Sequence, residues 1–401
     1  MQHSDDDSFV ASRRGWTEPF PVTGAWQPGD PAGARQFFTL PRPLALEGGG
    51  VLQEVTLAYE TWGELNADAS NAILICHALT GDSHVTGGTG GTYTDEGWWS
   101  RIVGPGLAID TDKFFVVCAN ALGGCQGTTG PASINPQTGN PYGSLFPQVS
   151  TRDIVRSQAC LAEMLEIERW FSVIGGSMGG MAALEWAAMY PKRVRSIAPI
   201  ATALQASAQQ IAWSAVGRLS IANDQYFHGG DYYDKDQGPG VGLAIAREIA
   251  FIHYRSDQEW NERFGREPLD RLDSFDSWGR FNVESYLDYH GQKFPHRFDA
   301  NSYIVLNRAM DLHDIGRGRG GAVAALTEFA GPAMTVSITS DFLYPPHQQA
   351  ELAQALTTSG GDCVQYHTIN SVYGHDGFLV EHDKLAEMLI DFFDKVYVET
   401  I

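Results

Sequence analysis

Ser177 has the strongest claim to covalent chemistry in this sequence. It lies in Phe171-Ser172-Val173-Ile174-Gly175-Gly176-Ser177-Met178-Gly179-Gly180, which contains a G-x-S-x-G pattern. An apolar run precedes it and helix formers follow, so the spacing predicts strand, turn, helix. On such a turn the residues two before and two after the serine approach each other, and only small side chains fit. The helix N-terminus then directs free N–H groups and the positive end of its dipole at the oxyanion that develops in acyl transfer. The bland alternative is an incidental serine on an ordinary turn, and the strand–helix context argues against it. A second stretch, Gly81-Asp82-Ser83-His84-Val85, lacks the closing glycine.

A serine hydroxyl is a poor nucleophile at neutral pH and needs a base. On a strand–elbow–helix scaffold the expected chain order is serine, acid, histidine. Asp341 closes the apolar run Ala333 to Thr339 and continues it through Ser340. His375 follows a predicted strand over 364–369, in Tyr373-Gly374-His375-Asp376-Gly377. Both sit where α/β sites gather, in loops after strands. His253 and His290 fall in a different region, and His347 and His382 fall on predicted helices. Asp376 is too near His375 in sequence to be the usual orienting acid. The oxyanion needs two amide donors, expected from Met178 and from Leu79 in His77-Ala78-Leu79-Thr80-Gly81. For His77 a structural hydrogen bond within that turn is the preferred reading.

The elements that must position these groups alternate. Strands are expected over 51–59, 72–79, 113–121, 171–175, 195–202, 333–339 and 364–369. Helices are expected over 151–168, capped by Thr151, and over 178–190, 348–356 and 378–397. Short apolar strands between amphipathic helices indicate a mostly parallel sheet covered on both faces. With the serine turn, this gives an α/β class and an α/β-hydrolase fold. The alternation breaks over 204–330, which is polar, aromatic and helical in period. The expected organisation is a core of 1–203 and 331–401, with 204–330 inserted as a helical lid and about 1–35 partly disordered.

Composition narrows the function. Across 401 residues the formal net charge is −21, which argues against nucleic acid or anionic membrane as a partner. Only six of the 27 basic residues are lysine, so a local anion site would be built from arginine. Five cysteines without a C-x-x-C pattern fit a reduced, cytoplasmic setting. The acidic start lacks the form of a signal peptide, and no apolar run is long enough to span a membrane. No H-x-x-H or H-E-x-x-H set is present, so no metal is expected.

Several stretches together resemble the homoserine O-acetyltransferases. They are HALTGDSH (77–84), NALGGCQGTTGP (120–131), GGSMGGMAALEWA (175–187), GRGRGG (316–321), SDFLYPP (340–346) and YGHDGFL (373–379). The resemblance runs from about residue 35 to the C-terminus. It implies an α/β-hydrolase-fold acyltransferase, a homodimer through its lid, with no bound cofactor and acetyl-CoA as co-substrate. It implies acetyl transfer to the hydroxyl of L-homoserine, on the route to methionine, by a ping-pong mechanism. It maps the triad onto Ser177, Asp341 and His375. It also assigns Arg247 to the substrate carboxylate and Asp376 to its ammonium, as a zwitterion requires.

Arg317 and Arg319 are candidate contacts for the phosphates of CoA, against a simpler reading as a lid hinge. Gly316-x-Gly318-x-x-Gly321 follows no strand and is not read as a dinucleotide fingerprint, and Gly87 to Gly91 is not read as a phosphate loop. Three rival activities stay open at this point. A succinyl donor would want a cation after the acid, where the chain has Phe342-Leu343-Tyr344-Pro345. L-Serine as acceptor differs by one methylene. An esterase would pass the acyl group to water.

Overall fold

The computed structural model describes residues 14, 16, 19–90, 93, 95–269, 275–361 and 363–398. Eight strands form the main sheet: β1 (Gln36–Thr39), β2 (Thr56–Trp62), β3 (Ala72–Cys76), β4 (Phe115–Ala119), β5 (Trp170–Gly176), β6 (Val194–Ile200), β7 (Ala333–Ile338) and β8 (Val364–Ile369). Their order across the sheet is β1-β2-β4-β3-β5-β6-β7-β8. The β1–β2 and β2–β4 pairs are antiparallel, and every later pair is parallel. The chain therefore has the α/β-hydrolase architecture expected from its alternation.

Alternate side chains of the strands enter separate cores. Ile75, Val116, Ile174, Val336 and Ile338 pack on one face. They meet Leu385, Leu389 and Phe392 of the C-terminal helix α11 (His382–Val398). Leu74, Val117, Val173 and Ile197 pack on the other face. There they meet α1 (Thr151–Met164) and α2 (Met178–Met189) through Ile154, Leu161, Leu184 and Trp186. Burial on both faces explains why β3 and β5 read as unbroken apolar runs.

Between β6 and β7 the chain runs through α3 (Ala208–Ala222), α4 (Gly240–Tyr254), α5 (Asp257–Phe264), α6 (Asn282–Lys293), α7 (Ala300–Asp311) and the short α8 (Ala322–Leu326). Helix α3 packs on α4 and α7, and α4 packs on α6. After β7 come α9 (Pro346–Thr358), β8 and the one-turn α10 (Gly377–Val380).

Three local expectations are corrected. Helix α1 is capped by Ser150, not Thr151; the Ser150 side chain accepts from the Asp153 amide, and Asp153 returns a bond to the Ser150 amide at 2.9 Å. The run 51–59 is two pieces: Val51–Leu52 pairs with Leu44–Ala45, and β2 begins at Thr56. Strand β1, a four-residue edge, has too short a pattern to be read from sequence. Residues 19–35, expected to be loose because they are rich in Gly, Pro and Asp, instead bridge core and insertion. The Trp26 amide donates to Cys125 O at 2.9 Å and the Gly24 amide to Phe298 O at 3.3 Å. Residues 1–13, 15, 17 and 18 lie outside the described part.

Candidate active site

Ser177 stands on the turn between β5 and α2, as its N-cap, with φ 57° and ψ −121°. A non-glycine residue at positive φ is strained and persists only when its surroundings fix it. Here the Ser177 amide donates to Ile200 O of the neighbouring strand at 2.9 Å. A β-carbon on Gly175 would lie 2.3 Å from the Gly179 carbonyl carbon, so the close approach forecast from G-x-S-x-G is present.

His375 follows β8 in a short turn, Gly374–Asp376. Its Nε2 lies 2.9 Å from Ser177 Oγ, and its Nδ1 lies 2.7 Å from Asp341 Oδ2. Asp341 follows β7. Its other oxygen, Oδ1, accepts the amides of Leu343 and Tyr344 at 2.9 and 2.8 Å. Those bonds fix the carboxylate plane, and the carboxylate in turn orients the imidazole. The Tyr344 ring stacks on His375 at 4.9 Å between centroids. All three side chains are buried, so the three loops converge in a site largely shielded from water.

Leu79 lines the chamber that holds Ser177, and its amide donates to no described group. Met178 opens α2, where amides have no intrahelical partner. His77 accepts the Ala121 amide on Nε2 at 2.9 Å, and its Nδ1 meets Ala78 O at 2.8 Å. Both ring nitrogens are therefore used in holding the turn, and burial lowers the imidazole pKa.

The chamber is walled by Trp213, His253, Tyr254, Tyr303, Tyr344 and Met310 among others. Arg247 sits on α4 and donates to Thr80 Oγ1 at 3.1 Å, with its guanidinium between the Phe251 and Phe294 rings at 4.5 and 4.9 Å. Burial lowers its pKa, with Arg297 adding to the effect. Asp376 is raised by burial, against the pull of Arg255, whose Nη2 lies 3.6 Å from Asp376 Oδ2. That separation exceeds a hydrogen bond and leaves the carboxylate able to accept one.

Homologous sequences decide the family. The chain is 53% identical over 374 residues to a homoserine O-acetyltransferase of Thermobifida fusca, covering 93% of this chain and 97% of that one. It is 48% identical over 360 residues to that of Moorella thermoacetica, covering 89% and 95%. The chain belongs to the homoserine O-acetyltransferase family. Residues 71–381 also match the broader family described by the alpha/beta hydrolase fold. Among solved structures, the homoserine O-acetyltransferase from Bacillus anthracis superposes with TM-score 0.83 at 27% identity, covering 90% of this chain and 98% of that one. Esterase E22 superposes with TM-score 0.82 at 30% identity, covering 90% and 99%.

Within this homoserine O-acetyltransferase scaffold, two residues named from sequence are not brought to the site. Arg317 pairs with Glu47 at 2.9 Å, and Arg319 pairs with buried Glu185 at 2.8 Å. Arg152 joins the same two acids at 2.9 and 3.0 Å. Neither Arg317 nor Arg319 lines the Ser177 chamber or the cleft beside it. The two arginines are held by acids on α2 and on the loop before β2, a placement that lends no support to their reading as contacts for CoA phosphates. Sequence reasoning also missed Arg255, which faces Asp376, and the buried pair Arg218–Asp311 at 2.7 Å, whose Asp311 lines the Ser177 chamber. Their sole sequence signal was position within the insertion.

Proposed function

We propose that this protein transfers an acetyl group from acetyl-CoA to the hydroxyl of L-homoserine through an acetyl-Ser177 intermediate. The observation that carries the reading is the Ser177–His375–Asp341 chain of hydrogen bonds, in a chain whose relatives are homoserine O-acetyltransferases.

In the first half-reaction His375 Nε2 takes the Ser177 proton as Oγ attacks the thioester carbonyl. The oxyanion is received by the amides of Leu79 and Met178. The C–S bond then breaks, and the imidazolium returns its proton to the departing CoA thiolate. In the second half, His375 deprotonates the homoserine hydroxyl, which attacks the acetyl carbonyl. The C–O bond to Ser177 breaks, and Oγ recovers the proton. Arg247 takes the amino-acid carboxylate and Asp376 its ammonium, which aligns the hydroxyl with the acyl carbon. The helices of 204–330 serve as the lid that excludes water.

The shared fold of esterase E22 supports a second reading, discharge to water. Incubation with acetyl-, succinyl- and other acyl-CoA donors, each with homoserine, serine or no acceptor, separates the readings. Acetyl-homoserine as the dominant product supports transfer. Acetate released at the same rate without acceptor overturns it in favour of hydrolysis.

We further propose a cytoplasmic homodimer joined through the insertion. Val216 and Leu219 on α3 are 50% and 58% exposed and are apolar surface that such a dimer would cover. Sedimentation at micromolar concentration tests it, and a monomer removes it.

A further inference from the structure

Beside the Ser177 chamber lies a cleft of about 340 Å³ between core loops and the insertion. Arg35, Arg247 and Arg297 all line it. A continuous set of hydrogen bonds holds the three together. Thr80 accepts Arg247 on its hydroxyl at 3.1 Å and Arg297 on its carbonyl at 3.0 Å. The Gln126 amide group donates to Arg297 O at 2.6 Å, and its oxygen accepts from Arg35 Nη2 at 2.9 Å.

Among the described residues none of these three guanidiniums has a carboxylate within ion-pair distance. Arg35 is only 6% exposed, and its Nε and Nη1 find no hydrogen-bond partner among them. Buried donors without acceptors are costly, and like charges gathered together repel. The acids at the cleft do not relieve this. Asp95 is taken by Lys293 at 2.9 Å, Asp82 accepts the His84 amide at 3.0 Å, and Glu96 is exposed, with no ion pair to the three arginines. In a chain of net charge −21, three arginines gathered in one cleft without an ion-pair partner among the described residues mark a place kept for an anion.

Resting on the acyl-CoA reading above, we infer that Arg35 and Arg297 bind the phosphate groups of the CoA thioester in this cleft. Arg247 and the Leu79–Thr80 turn separate the cleft from the chamber, because Leu79 lines one and Thr80 and Arg247 line the other. Coenzyme A carries its phosphates at one end of a flexible pantetheine arm and its thiol at the other. Phosphates in the cleft and thioester in the chamber match that division. Arg247, at the boundary, is left to the acceptor's carboxylate, so the two anionic substrates use different arginines of one cluster. Arg35 comes from the segment before β1, and Gln126 from the loop after β4, so the core supplies half of this site and the insertion the other half.

The test compares acetyl-CoA with the acetyl thioester of N-acetylcysteamine, which keeps the reacting group and lacks the phosphates. For Arg35→Gln and Arg297→Gln, the ratio of kcat/KM for acetyl-CoA to that for the short thioester should fall about 10- to 100-fold. Arg35→Lys should keep part of the ratio. Inorganic pyrophosphate should compete with acetyl-CoA in the wild type and lose that competition in the Gln variants. A ratio unchanged in both Gln variants overturns the assignment, as does a rise confined to the KM for homoserine, which would give these arginines to the acceptor. Using a ratio removes any general loss of folded enzyme. Failure of the acyl-CoA reading is separate: the wild type would release no thiol from acetyl-CoA at all.

Discussion

Gly179 lies so close to Cys76 that a β-carbon on it would meet the Cys76 carbonyl oxygen at 2.0 Å. This contact joins the first turn of α2 to the end of β3. It fixes two things together, the Ser177 elbow and the Leu79 turn that leaves β3. The contact is with backbone, which cannot swing aside as a side chain can.

Gly179→Ala should therefore force apart the Leu79 and Met178 amides, the oxyanion donors of the proposed mechanism. A misplacement of about 1 Å at such a site can cost about 10²-fold in rate. Overpacking should also cost about 1–3 kcal/mol of stability. Steady-state rates and urea unfolding measure both. A variant with wild-type kcat would mean that the Leu79 turn and the elbow move independently.

The Ser177–His375–Asp341 hydrogen-bonded arrangement was legible in the sequence because each member follows a strand whose apolar run is unmistakable. Ser177, Asp341 and His375 leave β5, β7 and β8, and strand ends carry the site in a parallel sheet. The Arg35–Arg247–Arg297 cluster was not legible, since its members are 212 and 50 residues apart and none follows the C-terminal end of a strand. What joins them is Thr80 and Gln126, whose bonds depend on how the insertion folds back. The placement of Arg317 and Arg319 away from the Ser177 chamber was hidden for the same reason. Their partners, Glu47 and Glu185, are distant in sequence, so the pairs that hold them could not be seen.

His375→Ala and Asp341→Asn should each lower kcat by about 10³-fold or more, because triad members act as a unit. His375→Ala should also lose the burst of thiol release from acetyl-CoA. Ser177→Ala should abolish the single acetyl adduct that intact-protein mass spectrometry detects when acceptor is left out. A retained burst in His375→Ala would point to another base, despite the 2.9 Å contact with Ser177.

Arg247→Ala should act on the second half-reaction. The guanidinium is held by Thr80 and by two aromatic rings, with no carboxylate within ion-pair distance among the described residues. Removing it strands the acceptor's carboxylate, and the KM for homoserine should rise about 10²-fold. Arg247→Lys should recover only part, since an ammonium cannot make the two-pronged contact. Burst amplitude with acetyl-CoA should be retained. A burst lost together with turnover would move Arg247 from the acceptor to the CoA side.

His253 gives a pH dependence of known sign. It lies on α4 in the wall of the Ser177 chamber, 5.2 Å from Trp213 between ring centroids, and its Nδ1 has no partner among the described residues. Burial, with smaller contributions from His375 and Arg247, pushes its pKa from 6.5 down to about 3. Between those values the unfolded chain binds a proton at this residue and the folded chain does not. Stability from keeping His253 neutral is thus fully present above pH 6.5 and declines as the pH falls toward about 3. One proton corresponds to about 1.4 kcal/mol per pH unit in the steep part of that range. His253→Phe keeps an aromatic ring against Trp213 and removes the titration. Its unfolding free energy should therefore fall less steeply than the wild type's between pH 6 and 5, by about one proton's slope. Urea unfolding at several pH values measures the two slopes. Parallel slopes for the variant and the wild type would show that His253 is protonated in the folded chamber, and that this wall of the site carries a charge the mechanism must then accommodate.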